Sequence, residues 1–194
     1  MLIDDPDPTV RAACAKALGL HGTVNDVPMI LLRLKDQVPI VRWEAANALQ
    51  KIHDPERAVS PLIQAMANDT ESDVRGSAAL ALGQYAEPRV VHALIGMLDD
   101  PDFTVVASAA DSLQTRTGQD LGTRGVAWIR WAEDHAGNMF EHRQQYVWHP
   151  YDKPRGLLDK AQFWKEKKPV QPRVPTGMTD TSEQQLSSGP VPQS

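Results

Sequence analysis

Apolar and polar positions along this chain follow a period much longer than one helical turn. One pattern occurs four times: V-R-A-A-C-A-K-A-L-G from Val10, V-R-W-E-A-A-N-A-L-Q from Val41, V-R-G-S-A-A-L-A-L-G from Val74 and V-V-A-S-A-A-D-S-L-Q from Val105. The starts are 31, 33 and 31 residues apart, and an Asp stands five residues ahead of each, at Asp5, Asp36, Asp69 and Asp100. A fixed spacing of roughly 20–50 residues marks a solenoid of stacked supersecondary units. Such arrays chiefly offer a long surface to a partner.

Each period predicts two helices. The block above is the second. The first is an apolar run at 27–35, 59–67 and 90–98, with pairs at helical spacing such as Ile30/Leu34, Ile63/Ala67 and Leu94/Leu98. Pro28, Pro61 and Pro88 are expected in the first turn, where a missing N–H is tolerated. Asp7-Pro8, Pro39, Glu71-Ser72-Asp73 and Asp100-Pro101-Asp102 read as turns, and Asp54-Pro55 and Glu87-Pro88 as joints between repeats. At about 100° per residue, Val41, Ala45, Ala48, Leu49 and Ile52 share one face. Small residues there let helices approach closely. Cys14 holds the place of Ala45, Ala78 and Ala109 and reads as a small core residue.

These blocks resemble the HEAT repeat in its short bacterial form, also found in phycobilisome lyase-type proteins. The likeness rests on the Asp, on a Pro three residues later (Pro8, Pro39), and on V-R-x-x-A-A-x-A-L, over about residues 5–115. It implies an all-α, right-handed α-solenoid of about four helical hairpins, the first incomplete. It also implies a ladder between layers, built from Asp5/Arg11, Asp36/Arg42 and Asp69/Arg75 and ending where Val106 replaces the Arg. Those charges are then structural. The family consists mostly of interaction scaffolds.

The expected organisation is a solenoid over 1–122, a capping helix over 123–138, an aromatic and basic extension over 139–168, and a disordered tail over 169–194. The cap is read from G-V-A-W-I-R-W-A-E-D-H, whose Trp128 and Trp131 would close the core. The extension carries Phe140, Tyr146, Trp148, Tyr151, Phe163 and Trp164 among basic residues. It either folds back on the solenoid or docks on another protein, with contact to a membrane surface as a weaker option. The last stretch is rich in Pro, Ser and Gln. No helix precedes the first block, which favours a fragment of a longer protein over pairing through that end or cover by the chain's own tail. Localisation stays open, with cytoplasmic as the default, since neither a secretory signal nor a membrane span is visible.

Charge narrows the function classes. Residues 1–139 carry 12 Lys/Arg against 19 Asp/Glu, and 140–194 carry 8 against 6. An acidic solenoid suits phosphate backbones poorly. One cysteine allows no internal disulfide. His135, His142 and His149 form no ligand motif, and His21 and His53 read as solvated. No cofactor, metal or nucleophile motif is present.

The concave face is where a partner is expected. On the helical wheel Trp43 lies opposite the core face, with Ala12, Gly76 and Ala107 as its counterparts, and should stand out between small neighbours. Glu44, Asn47, Leu80 and Asp111 flank it, and Trp148 and Trp164 of the extension complete the candidate partner-binding set. The opposing reading is a Trp lying flat over its neighbours. Function is therefore expected to be non-catalytic protein binding. An accessory or bilin-lyase-like enzyme is the alternative. Iron-dependent hydroxylation, known in one HEAT family, lacks its His-Glu pairs here. Nucleic-acid binding, as in HEAT-like DNA glycosylases, is echoed only by Trp43 and Asp111.

Overall fold

The computed structural model describes residues 2–148 and 171–178. Eight α-helices follow in order among them: α1 Pro8–His21, α2 Val27–Arg33, α3 Pro39–Leu49, α4 Pro55–Asn68, α5 Ser72–Leu82, α6 Pro88–Gly96, α7 Phe103–Thr117 and α8 Gly125–Asp134. The helices α2/α3, α4/α5 and α6/α7 form hairpins, while α1 is a second helix with only a 3-10 turn, Leu2–Asp4, before it. Second helices stack α1 on α3, α3 on α5 and α5 on α7, and first helices pack α2 on α4 and α4 on α6. The result is the all-α solenoid that the period predicts.

The stack closes because small residues meet at the helix crossings. A Cβ at Gly19 of α1 would fall 2.6 Å from Ala48 Cα of α3, and one at Gly83 would fall 2.8 Å from Ser112 Oγ beyond α5. Leu49, Leu82 and Leu113 fill the space between the two helix rows, with Ile30, Leu62 and Leu94 entering from the first helices. Val41, Val74 and Val105 are fully buried, but their counterpart Val10 is half-buried, as is Cys14. Cys14 is thus not the enclosed core residue its register suggested, because among the described residues α1 has no first helix of its own layer beside it.

The turns tie each layer to the next. Arg11 donates through Nε and Nη2 to both oxygens of Asp36, each at 2.8 Å. Arg42 does the same to Asp69 at 2.7 and 2.8 Å, and Arg75 to Asp100 at 2.8 Å twice. The remaining Nη1 of each Arg turns back to its own layer, reaching the main-chain carbonyls of Asp5, Asp36 and Asp69 at 2.8, 2.9 and 3.0 Å. The ladder exists, but its pairing corrects the expected one. Arg11, Arg42 and Arg75 bind the carboxylate of the following layer, not that of the Asp six residues earlier. Asp100 thereby joins the ladder, and the Asp5 carboxylate accepts only from the Asp7 N–H.

Helix boundaries shift in one instructive place. Asp54 caps α4 by accepting from the Arg57 N–H, and Pro55 takes the first helical position. The helix therefore starts four residues ahead of the apolar run at Val59, and Pro61 lies inside it rather than in its first turn.

The ladder sets the acid sensitivity of the fold. Hydrogen bonds from Arg11 and Arg75 hold Asp36 and Asp100 below the ordinary carboxylate value of 3.8. Burial pushes Asp69 upward, and the bonds from Arg42 and the Glu71 N–H outweigh it. A carboxylate whose pKa is lower in the folded state contributes stability above its unfolded value and loses it as pH falls through the folded one. Stability should therefore drop below about pH 4, with less of a drop in an Asp69→Asn variant. At neutral pH Arg42→Gln leaves Asp69 without its cation and should cost about 2 kcal/mol in urea unfolding.

Candidate functional site

Two surfaces remain once stacking has taken its share: the outer side of the second helices, and the ends where they turn into the next layer. The first held the expected partner residues. Trp43 is half-buried on α3, and its counterparts Ala12 and Gly76 are buried while Ala107 is exposed. A Cβ on Gly76 would meet Ser108 Oγ of the next layer at 3.4 Å. This row therefore faces the neighbouring helix, not open solvent, and Trp43 does not stand clear of the surface. Ser77, on the α5 row that this register turns toward α3, is 8% exposed, whereas its counterpart Ala13 is open.

The flanking residues are partly engaged. Glu44 receives Lys16 at 3.5 Å, and Asn47 accepts from Gln50, whose amide also reaches the Ser77 carbonyl of the next layer at 3.3 Å. Leu80 is half-buried and Asp111 exposed. The row Lys16, Asn47, Leu80 and Asp111 stays accessible in all four layers, as does the row Thr9, Ile40, Asp73 and Thr104 in the first turn of each second helix.

At the far end, Trp128 is buried and gives its Nε1 to the Gly122 carbonyl at 2.7 Å. Trp131 meets it edge to face with ring centres 6.0 Å apart and stacks on His135 at 4.9 Å. Helix α8 packs on α6 and closes the last layer.

The second surface is covered by the chain itself. Beyond α8 the polypeptide runs back along the ends of the second helices as a strap. Met139 is buried, the Gln144 N–H donates to the Thr115 carbonyl at 2.8 Å, and Tyr146 is buried near Tyr85 and Arg116. Trp148 is half-buried, with Lys51 Nζ 5.3 Å and the Arg173 guanidinium 5.8 Å from its ring centre. Trp148 also pairs through its main chain with Arg173. The segment 171–178 continues the strap. Thr176 donates to the Lys51 carbonyl at 2.8 Å and accepts from the His53 N–H at 2.7 Å, and Pro175 is buried. Gly177 adopts φ +90° where a Cβ would clash with Val24. That segment fell in the stretch read as disordered, and what orders it is main-chain pairing, which composition does not report. Trp148 is thus occupied within the molecule. Trp164 lies outside the described residues.

Burial has electrostatic consequences beneath the strap. It pulls Arg116 down to about 10, with Arg143 adding repulsion, and it lowers Lys51. It also lowers His53, which stacks on Tyr85 at 5.0 Å and contacts Gln84 at 3.1 Å, so this imidazole is not the solvated group expected. Sequence reasoning missed Arg116, although an Arg in the register of Ile52 and Tyr85 was the available signal. It also missed Phe103, 72% exposed at the start of α7, where the other layers have Pro8, Pro39 and Ser72. Among the described residues no group of His, Cys, Asp and Glu gathers that could hold a metal ion, and no helix is long and apolar enough to cross a membrane.

Comparison with known proteins agrees with this architecture. The family model described as HEAT repeats matches residues 1–82 and 59–121. An uncharacterized phycocyanin operon protein Z of Pseudanabaena tenuis is 29% identical over 127 residues, covering 62% of this chain and 62% of that protein. A deoxyhypusine hydroxylase of Candida albicans is 37% identical over 84 residues, covering 42% of this chain and 26% of the enzyme. The chain thus spans less than two thirds of either relative's length.

If the strap is held as described, Trp148→Ala should loosen it without touching the stack. Amide exchange at His53 and Thr176 should quicken on the order of tenfold, while the α5 amides keep their protection. Unchanged exchange at both would show that Trp148 does not anchor the strap.

Proposed function

The chain belongs to the HEAT-repeat family, and on that premise we propose that it is a non-catalytic scaffold that binds a partner protein along its second helices. One observation carries the reading. The stacking positions repeat small or branched apolar residues from layer to layer, but the accessible row along the middle of the second helices changes character at every step: Lys16, Asn47, Leu80, Asp111. A row that stays open in each layer and differs in each is suited to specific recognition, with Leu80 as its apolar centre and charges at its ends. Trp43 supports this surface from the side rather than projecting from it. The arginines and aspartates nearest the turns are already engaged in stacking.

A second reading draws on the relative named for a phycocyanin operon. It makes the chain an accessory or lyase-type protein of that system, handling a bilin. Purified protein incubated with a bilin and then desalted would retain visible absorbance under this reading and none under the first.

The scaffold reading is tested by capture on immobilised full-length protein, with the bound protein identified, purified and returned to the assay. Leu80→Arg should weaken that purified partner's binding by tenfold or more, since a central apolar contact is worth about 2 kcal/mol. Equal capture by wild type, Leu80→Arg and Trp43→Ala would remove the second-helix surface from consideration.

A further inference from the structure

The strap lies over a cation that meets no carboxylate among the described residues. Arg116 sits in the last layer where the two preceding layers have Ile52 and Tyr85, and all three are buried. Its Nη2 donates to the Gln144 carbonyl at 2.6 Å and its Nη1 makes a long contact with the Gln84 carbonyl at 3.5 Å. Its Nε has no partner among the described residues. Arg116 as a whole is 5% exposed. Elsewhere in this protein the half-buried arginines of the ladder each grip a carboxylate with two bonds. A buried charge held only by neutral carbonyls is left short of compensation.

The surroundings repeat the theme. The strap brings further cations to the groove, Arg143 near Arg116 and Arg173 over Trp148. Lys51 is half-buried with its Nζ over the Trp148 ring, and Glu44 is the acid in its field. Asp111 acts on Tyr146 from the rim. Neither contributes to the field at Arg116. The strap is held largely through its own main chain: Gln144 N–H to the Thr115 carbonyl, the Gln144 carbonyl from the Arg116 side chain, and Thr176 with Lys51 and His53. Extended segments held in this way are exchangeable, because main-chain bonds give affinity while side-chain pockets give specificity. The pocket here is the one Tyr146 fills.

We propose that the groove lined by Tyr85, Arg116 and Lys51 receives an extended, acidic segment of a partner protein, and that residues 144–148 occupy it in cis until that segment displaces them. A carboxylate entering where Tyr146 sits would supply the anion Arg116 lacks, and an aromatic ring two residues on would take the place of Trp148 under Lys51. This deepens the scaffold reading by naming a second surface and the chemistry of what it takes.

Labelled peptides copying residues 142–148, one with Tyr146→Glu and one with Tyr146→Gln, provide the test by fluorescence anisotropy. The receptor is the full-length chain carrying Tyr146→Ser, which empties the pocket. The acidic peptide should bind it about tenfold more tightly than the neutral one. Wild-type protein should bind the acidic peptide about tenfold more weakly than the Tyr146→Ser protein, because its own strap competes. Arg116→Gln should abolish the preference and Arg116→Lys should keep it, with unchanged helical circular dichroism as the check on folding. Equal affinity for the two peptides, binding of neither, equal affinity of the wild-type and Tyr146→Ser proteins, or a preference that survives Arg116→Gln overturns the proposal. If Arg116→Gln fails to fold, the comparison of peptides on the Tyr146→Ser protein still decides. None of these outcomes bears on the Leu80→Arg capture experiment, so the groove and the second-helix surface fail or stand separately.

Discussion

The bidentate bond from an arginine in one layer to an aspartate in the next is the interaction on which the rest of this structure depends. Each arginine does two jobs at once. Its Nε and Nη2 reach forward to the next carboxylate, and its Nη1 reaches back to a carbonyl of the turn that precedes its own helix. Each receiving aspartate also accepts an N–H two residues on, so the turn that aims it is closed by the same group. Turn shape and layer spacing are therefore coupled. The planar guanidinium suits this because its donors are fixed in one fork; a lysine would supply the charge without the geometry.

That coupling explains what could be read from the residues and what could not. The period, the hairpins, the three arginines of the ladder and two of its aspartates, Asp36 and Asp69, were visible, since apolar spacing and a repeated Asp-to-Arg offset within the chain are one-dimensional facts. The pattern counted Asp5 in the ladder and left Asp100 out. The partner of each arginine was not visible. A separation of six residues and one of 25 to 27 are equally compatible with the pattern, and only the stacking distance chooses between them. Trp43 fails to stand free for a related reason. A helical wheel divides a helix into a buried and an open half, but a second helix in a stack is covered on three sides, toward its own hairpin and toward both neighbours. The usable surface is a narrow strip, and the row of Lys16 to Asp111 belongs to it, together with Thr9, Ile40, Asp73 and Thr104 in the first turns. Pro61 went wrong because a cap, Asp54, outweighed the breaker that followed it.

The two ends of the array are resolved differently. At the first layer the core face of α1 has little over it, and Val10 and Cys14 stay partly open. At the last, α8 brings Trp128 down on the final hairpin, and the strap then runs back over the earlier layers. The strap adds contacts between residues far apart in a chain whose other contacts are local. Proteins of this class are close to one-dimensional in their cooperativity, each unit answering only to its neighbours. A segment tied to the fourth layer at Thr115 and to the second at Lys51 and His53 links units that do not otherwise touch.

The forward direction of the arginine bond also makes each layer interchangeable at its boundary. Every joint offers the same donor on one side and the same acceptor on the other. Excising residues 36–68 as a block would bring Arg11 opposite Asp69 across the same number of intervening residues that now separate it from Asp36. Inserting a copy of that block would extend the series equally well. A coding sequence of this kind can lengthen or shorten by unequal crossing-over without inventing a new junction, so the length of such a protein is free to drift while the rule for joining its parts stays the same.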